Sequence, residues 1–465
     1  MKRLLAVVAC ALALAATGCG AKTEAKAEAS APKVFRFSYA SDIPTLDPQM
    51  GNSMPTATVA FHIFDGLTRS DNGAVKPGIA ESWTVSADGI TYVFKLRDAK
   101  WSDGTAIKAQ DFEYGIRRLM DPAAASPYSF LGLLIENADA VNSGKMPVDK
   151  LGVKAIDDKT VQIRLAYPAD YFLGMLSMCQ FSATRADLVA QYGKDFAATP
   201  EKNVYNGPFM VQSWAREDRM ILVKNPNYWN ASEIKLDEIQ ILIVPDENTA
   251  LAMFDAGDLD LVRVPPAFVE KYKDRVVYYY DGSNDFIKLN MASKGPLSNK
   301  DFRLALNYAI DRQDFVDITT KGLYDANPRY VLPQVAGVAK DYGSEYPYAG
   351  FGTRADVAKA KDHLAKAMAA LKIADPAAIA IEFLTSDTDR SRAQAEIVQD
   401  QLQKNLGIKV SVKQVPYRQR LDMEGKKTFE TVFTGWAPDY SDPMTYLELW
   451  TSDSPVRIGS SASSG

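Results

Sequence analysis

Residues 80–104 read AESWTVSADGITYVFKLRDAKWSDG. Thr91-Tyr92-Val93-Phe94-Lys95-Leu96 is rich in β-branched and aromatic residues, which predicts a strand. Asp88-Gly89 is a tight-turn dipeptide, because glycine accepts a positive φ without a Cβ clash. Trp83-Thr84-Val85 is then the partner strand of a hairpin. Ser102-Asp103-Gly104 is a second turn, in which the Asp103 side chain bonds its own backbone. A helix opens over residues 108–112. Taken by periodicity alone, the stretch is a hairpin with two buried tryptophans.

The totals bound what surrounds it. A chain of 465 residues exceeds one compact core, so two or three domains are expected. A composition of 47% hydrophobic and 24% charged residues is that of a folded globular protein. A net charge of −5 gives no electrostatic case for nucleic acid or a polybasic membrane patch. Two histidines far apart, and three cysteines without C-x-x-C spacing, argue against a His/Cys metal site.

The word order of 80–104 carries more than its periodicity. Ala80-Glu81-Ser82-Trp83, then Phe94-Lys95-Leu96-Arg97, then Trp101-Ser102-Asp103-Gly104, resembles the signature of the extracellular solute-binding proteins of ABC importers, in particular the peptide/nickel-binding family with its oligopeptide-binding lipoproteins. Similar phrases recur at Leu46-Asp47-Pro48, Asn206-Gly207-Pro208-Phe209, Asn225-Pro226-Asn227-Tyr228-Trp229, 301–312 and 450–455, so the resemblance runs from 35 to 455. It implies an α/β protein with the two-lobed periplasmic-binding-protein fold, in the class with an extra third domain, and a ligand cleft between lobes. The expected division is lobe I over 34–65 plus 184–284, the extra domain over 66–183 and lobe III over 285–455. Family members continue beyond residue 455, where this chain has a Ser/Gly tail over 456–465; a truncated end is expected.

The first residues are not part of the fold. Lys2-Arg3 and the apolar run from Leu4 to Ala16 make a signal peptide over 1–18, too short to remain as a membrane span. Ala16-Thr17-Gly18-Cys19 resembles a bacterial lipobox, which implies lipidation of Cys19. Acyl chains add roughly 0.8 kcal/mol of membrane affinity per buried CH₂. Residues 19–33 lack large apolar side chains and read as a flexible tether. Processing leaves Cys179 as the one other cysteine, set in an apolar run and expected to be a buried thiol.

Strands and helices alternate along the rest of the chain, as in an α/β lobe. Strands are expected at 34–39, 210–214, 221–224, 239–244, 259–262, 286–290, 379–384, 409–415 and 431–434. Residues 301–312 form an amphipathic helix whose apolar positions 302, 305, 306, 309 and 310 share one face.

Enzyme motifs are scarce: H-E-x-x-H, P-loop and G-x-S-x-G patterns do not occur. The reading is a non-enzymatic receptor without a cofactor. The functional stretch is Gly435-Trp436-Ala437-Pro438-Asp439-Tyr440-Ser441-Asp442-Pro443. Residue types alone favour a turn in which Asp439 or Asp442 caps a following helix. The resemblance assigns more. In peptide-binding relatives the position of Asp439 pairs with the ligand's α-ammonium, and that of Trp436 lines a side-chain pocket. Gly435 and Ala437 offer backbone groups. Tyr128, Met54 and Tyr417 match further ligand-lining positions, for which simple packing is an equal account. Two positions depart from the family: Glu424 and Phe433 stand where relatives carry arginines near the ligand. Capture of a peptide C-terminus there is not supported, which leaves a nickel complex, haem or an oligosaccharide as alternative ligands. A secreted hydrolase is the rival class. The implied partners are a peptide, ABC permease subunits and, through the lipid, the outer face of the cytoplasmic membrane or the periplasm, with the protein a monomer.

Overall fold

The computed structural model describes residues 31–71, 74–293 and 295–450. The signal peptide, Cys19, nearly all of the tether and the 456–465 tail lie outside the described residues. From Lys33 onward the described chain forms one compact unit organised by three four-stranded sheets.

The first sheet joins distant parts of the chain. Val34–Tyr39 runs parallel to Glu238–Ile243, which is followed by the antiparallel strands Arg219–Lys224 and Phe209–Ala215. Ile239 and Ile241 alternate inward and meet Met220, Leu222 and, from the helix Met54–Ile63, Val59 and Ile63. That helix starts earlier than its apolar pattern does, because the Ser53 side chain accepts from the Thr56 amide at its N-terminus. The expected strand at 259–262 does not form; a single bridge, Phe37 to Leu261, remains.

The stretch 80–104 builds the second sheet. Ala80–Val85 and Thr91–Leu96 form the hairpin, extended by Thr160–Arg164 and Val153–Asp157. Gly89 takes φ 72° at the turn, as its dipeptide requires. Trp101 is buried, and its Nε1 donates to Asp111 Oδ2 at 3.1 Å. The same oxygen accepts from the Lys108 amide at 3.0 Å, so the Trp-Ser-Asp-Gly turn is bolted to the start of the helix Ala109–Met120. Trp83 is only half-buried, which corrects the expectation of two buried tryptophans. Arg118 on that helix makes a two-pronged ion pair with Asp47 (2.7 and 2.6 Å) and also donates to Gln49 Oε1 at 2.9 Å. The Leu46-Asp47-Pro48 turn beside the first sheet is thereby clamped to the second.

The third sheet has the order Asn284–Leu289, Thr431–Trp436, Ala380–Ser386, Lys409–Val415. Its last three strands are parallel, and one face is covered by Lys300–Ala309, Val357–Leu371 and Asp389–Leu406 around Phe302 and Phe383. The expected helix over 301–312 ends at Ala309. Asp311 accepts from the Asp314 amide at 2.8 Å and starts a second helix, Arg312–Thr320.

Candidate functional site

The strand Thr431–Trp436 lies inside the third sheet and ends in the Ala437-Pro438 turn. Asp442 Oδ1 accepts from the Met444 amide at 2.8 Å and so serves the following helical turn. Asp439 does not; its own amide donates to Thr445 Oγ1 at 2.9 Å. The carboxyl of Asp439 therefore has no capping task. Its Oδ2 is buried without a partner among the described residues, as is Nε1 of Trp436 on the same turn. Buried polar groups in native proteins are nearly always paired, and leaving one unpaired costs roughly 1–3 kcal/mol. Both atoms are free to bond to a ligand. Burial pushes the Asp439 carboxyl up to about 8. It does the same for Glu448, where Asp439 and Asp442 add to the effect.

Across from this turn stand side chains of the second-sheet body. The ring of Tyr128 stacks on Trp436 with centroids 6.2 Å apart, and Phe130 lies 6.4 Å from the same indole. Tyr171 stacks on Tyr440 at 5.1 Å. Burial holds the Tyr128 hydroxyl well above its usual range, with Asp439, Cys179 and Tyr417 contributing in that order. These groups therefore share one electrostatic neighbourhood. The Cys179 thiol is pushed up to about 12, by burial and then by Asp439, so it is a buried and unreactive thiol as expected. Next to it, Gln180 Nε2 donates to Gly51 O at 2.8 Å while its Oε1 is buried without a partner.

Of the residues singled out from sequence, Trp436 and Tyr128 stack here, and Asp439 and, more weakly, Tyr417 act on the Tyr128 hydroxyl. Tyr417 opens the helix Tyr417–Gly425 and packs 5.1 Å from the Arg420 guanidinium. Ala437 is half-buried between Trp436 and Asp439. Gly435 pairs with Asp285 in the ladder, and a Cβ at Gly435 would come within 2.5 Å of Asp285 Oδ1. Met54 is the first residue of its helix and is 56% exposed. Phe130, Tyr171, Gln180 and Tyr440 are additions. Tyr440 follows Asp439 directly, but the other three sit in apolar runs that give no sign of a cleft. Among the described residues no group of three or more His, Cys, Asp or Glu side chains converges to hold a metal ion. No described helix is long and apolar enough to cross a membrane.

Residues 74–457 match the model of the bacterial extracellular solute-binding proteins, family 5 (middle). The chain belongs to that family. A dipeptide-binding protein of Lactococcus lactis is 31% identical over 95% of this chain and 82% of its own length. Listeria monocytogenes OppA bound to peptide superposes with a TM-score of 0.87 at 29% identity, covering 92% of this chain and 86% of that one. The two-lobed α/β fold expected from sequence is thus the fold of this solute-binding protein.

A third relative is represented by two structures. The Escherichia coli murein tripeptide-binding protein MppA matches with a TM-score of 0.84, and an MppA unliganded open form with 0.59, both at 25% identity and 92% coverage of this chain. The arrangement of the described residues is thus closer to the first MppA structure than to the unliganded open form. The positions that depart from the family pattern are occupied internally. Glu424 pairs with Arg420 and lies 3.9 Å from Lys288 Nζ, and Phe433 packs on Phe315 at 5.8 Å.

Proposed function

We propose that this protein captures peptides outside the cytoplasmic membrane and delivers them unaltered to an ABC permease. The observation that carries this reading is that Asp439 Oδ2 and Trp436 Nε1, three residues apart, are both buried without a partner among the described residues. A free peptide amine has a pKa of about 8 and is largely cationic at neutral pH. It supplies the charge that lets Asp439 ionise in a water-poor site, through a charge-assisted hydrogen bond. Trp436, with Tyr128 and Tyr417 around it, lines a pocket for a side chain, and the backbone at Gly435 and Ala437 pairs with the peptide main chain, which is blind to sequence. The dipeptide-binding relative and the peptide-bound one support this substrate class.

Lobe I over 34–65 and 184–284 and lobe III over 285–455 act as the jaws, with 66–183 as the extra domain. Ligand shifts an open–closed equilibrium, and the permease reads the closed form. Cys19 carries the lipid anchor, and the protein acts as a monomer. Incubation of the lipid-free protein with a mixed peptide pool, followed by native mass spectrometry, tests this. Intact peptides bound at one per chain are expected. Cleaved peptides would establish the hydrolase instead, and no peptide adduct at all would refute the substrate class.

A further inference from the structure

Residues 276–283 run without turn or bend into the third-sheet strand Asn284–Leu289. Both ends of this segment are held. The Val276 amide donates to Tyr272 O at 3.0 Å, and Gly282 O accepts from the Tyr446 hydroxyl at 2.6 Å. Between them, the amides of residues 277–282 donate to no acceptor among the described residues. Val277, Tyr278, Tyr279 and Tyr280 are 82%, 63%, 80% and 84% exposed. Successive side chains of an extended chain point to opposite sides, so four exposed neighbours leave neither face covered.

The residue types make this segment an open strand edge. Val-Val-Tyr-Tyr-Tyr at 276–280 is wholly β-branched and aromatic, the types that suit a pleated strand. Natural proteins blunt such edges with lysine or proline, and neither stands in 276–280.

The flanking charges select the partner. Arg275 precedes the run and Asp281 follows it. Laid antiparallel on itself and centred on Tyr278, the segment sets Tyr278 opposite Tyr278, Val277 opposite Tyr279, Val276 opposite Tyr280 and Arg275 opposite Asp281. Opposite charges then meet at both ends, and the pairs between them are aromatic and β-branched, combinations that stabilise strand pairs. A slip of one residue sets Asp274 against Asp281 or Asp281 against Val276, and a parallel in-register pair sets like charges together. Arg275 has one ion pair, with Asp255 Oδ1 at 3.4 Å, and its side chain is 57% exposed. Asp281 has no ion pair among the described residues, and its Oδ1 accepts from the Ser283 amide at 2.8 Å.

We propose that two copies of this chain associate through residues 275–281, paired as antiparallel strands about a two-fold axis at Tyr278. Each copy keeps its own Asp439, so capture remains one peptide per chain. Two strands alone pair marginally, so the contact is reversible and grows with concentration.

The test is cross-linking and sedimentation of the lipid-free protein beginning at Gly20, in which Cys179 is buried. Facing residues of an antiparallel pair have Cα atoms about 4.5–5.5 Å apart, within reach of a disulfide, so mild oxidation links Tyr278→Cys into a dimer at least about tenfold faster than Tyr280→Cys, whose thiol faces Val276. In sedimentation the dimer fraction of the native protein rises with concentration. Asp281→Arg places like charges opposite each other and weakens the dimer about tenfold at an unchanged thermal midpoint, and Arg275→Asp/Asp281→Arg restores it. A native protein that sediments as a monomer at every concentration, or equal oxidation rates of the two cysteine variants, overturns the proposal. Hydrogen-exchange protection of the 277–281 amides in the monomer assigns the cover to residues 451–465 of the same chain and also overturns it.

Discussion

Tyr128 and Trp436 stack with their planes 19° apart, although one belongs to the second-sheet body and the other to the end of a third-sheet strand. On the proposed clamp reading, the pair's energy belongs to closure and not to the folding of either body. Aromatic pairs contribute about 0.5–1.5 kcal/mol beyond their buried area. A double-mutant cycle with Tyr128→Ala and Trp436→Ala, read out as peptide affinity, gives a coupling of that size. Strictly additive losses would show that the two rings act independently.

The carboxyls of Asp439 and Glu448 are both raised to about 8 by burial. On the proposed reading, opening the cleft exposes them to water and returns them to the ordinary carboxylate range. Between about pH 4 and 8 the closed form therefore holds protons that the open form has released. Raising the pH through that window favours the open form of the ligand-free protein. Small-angle scattering finds a larger radius of gyration at pH 8 than at pH 5, and the difference shrinks in Asp439→Asn. A radius that grows on acidification contradicts the assignment. A saturating amine ligand removes the trend, because the ammonium stabilises the ionised Asp439.

Arg118 and Asp47 form a partly buried, two-pronged ion pair between the bodies of the first and second sheets. Removing one partner strands the other, at a cost of roughly 3–5 kcal/mol for such pairs. Arg118→Met lowers the denaturant midpoint accordingly, and Asp47→Asn/Arg118→Met recovers part of the loss. An unchanged midpoint in the single variant would mean that the clamp adds nothing to stability.

What was legible in the sequence was local. The Asp88-Gly89 hairpin and the Trp101 turn followed from residues a few positions apart, and the coordinates place both as expected. The break between Ala309 and Arg312 was hidden, because the apolar face continues through Ile310 and only the Asp311 side chain decides where one helix stops. Leu259–Val262 has strand-like residues but reaches a sheet partner at just one position. The Gly435–Asp439 turn stood out as a phrase, whereas the rings that close over it come from segments that read as ordinary core.

The central claim is that Asp439 holds the ammonium of a peptide. Titration calorimetry of one peptide and its N-acetylated form, against the native protein and Asp439→Asn, tests it most directly. Acetylation weakens binding to the native protein by about 2–5 kcal/mol, the cost of unpairing a buried charge, and changes little in Asp439→Asn. Equal affinities of the two peptides for the native protein would contradict the account.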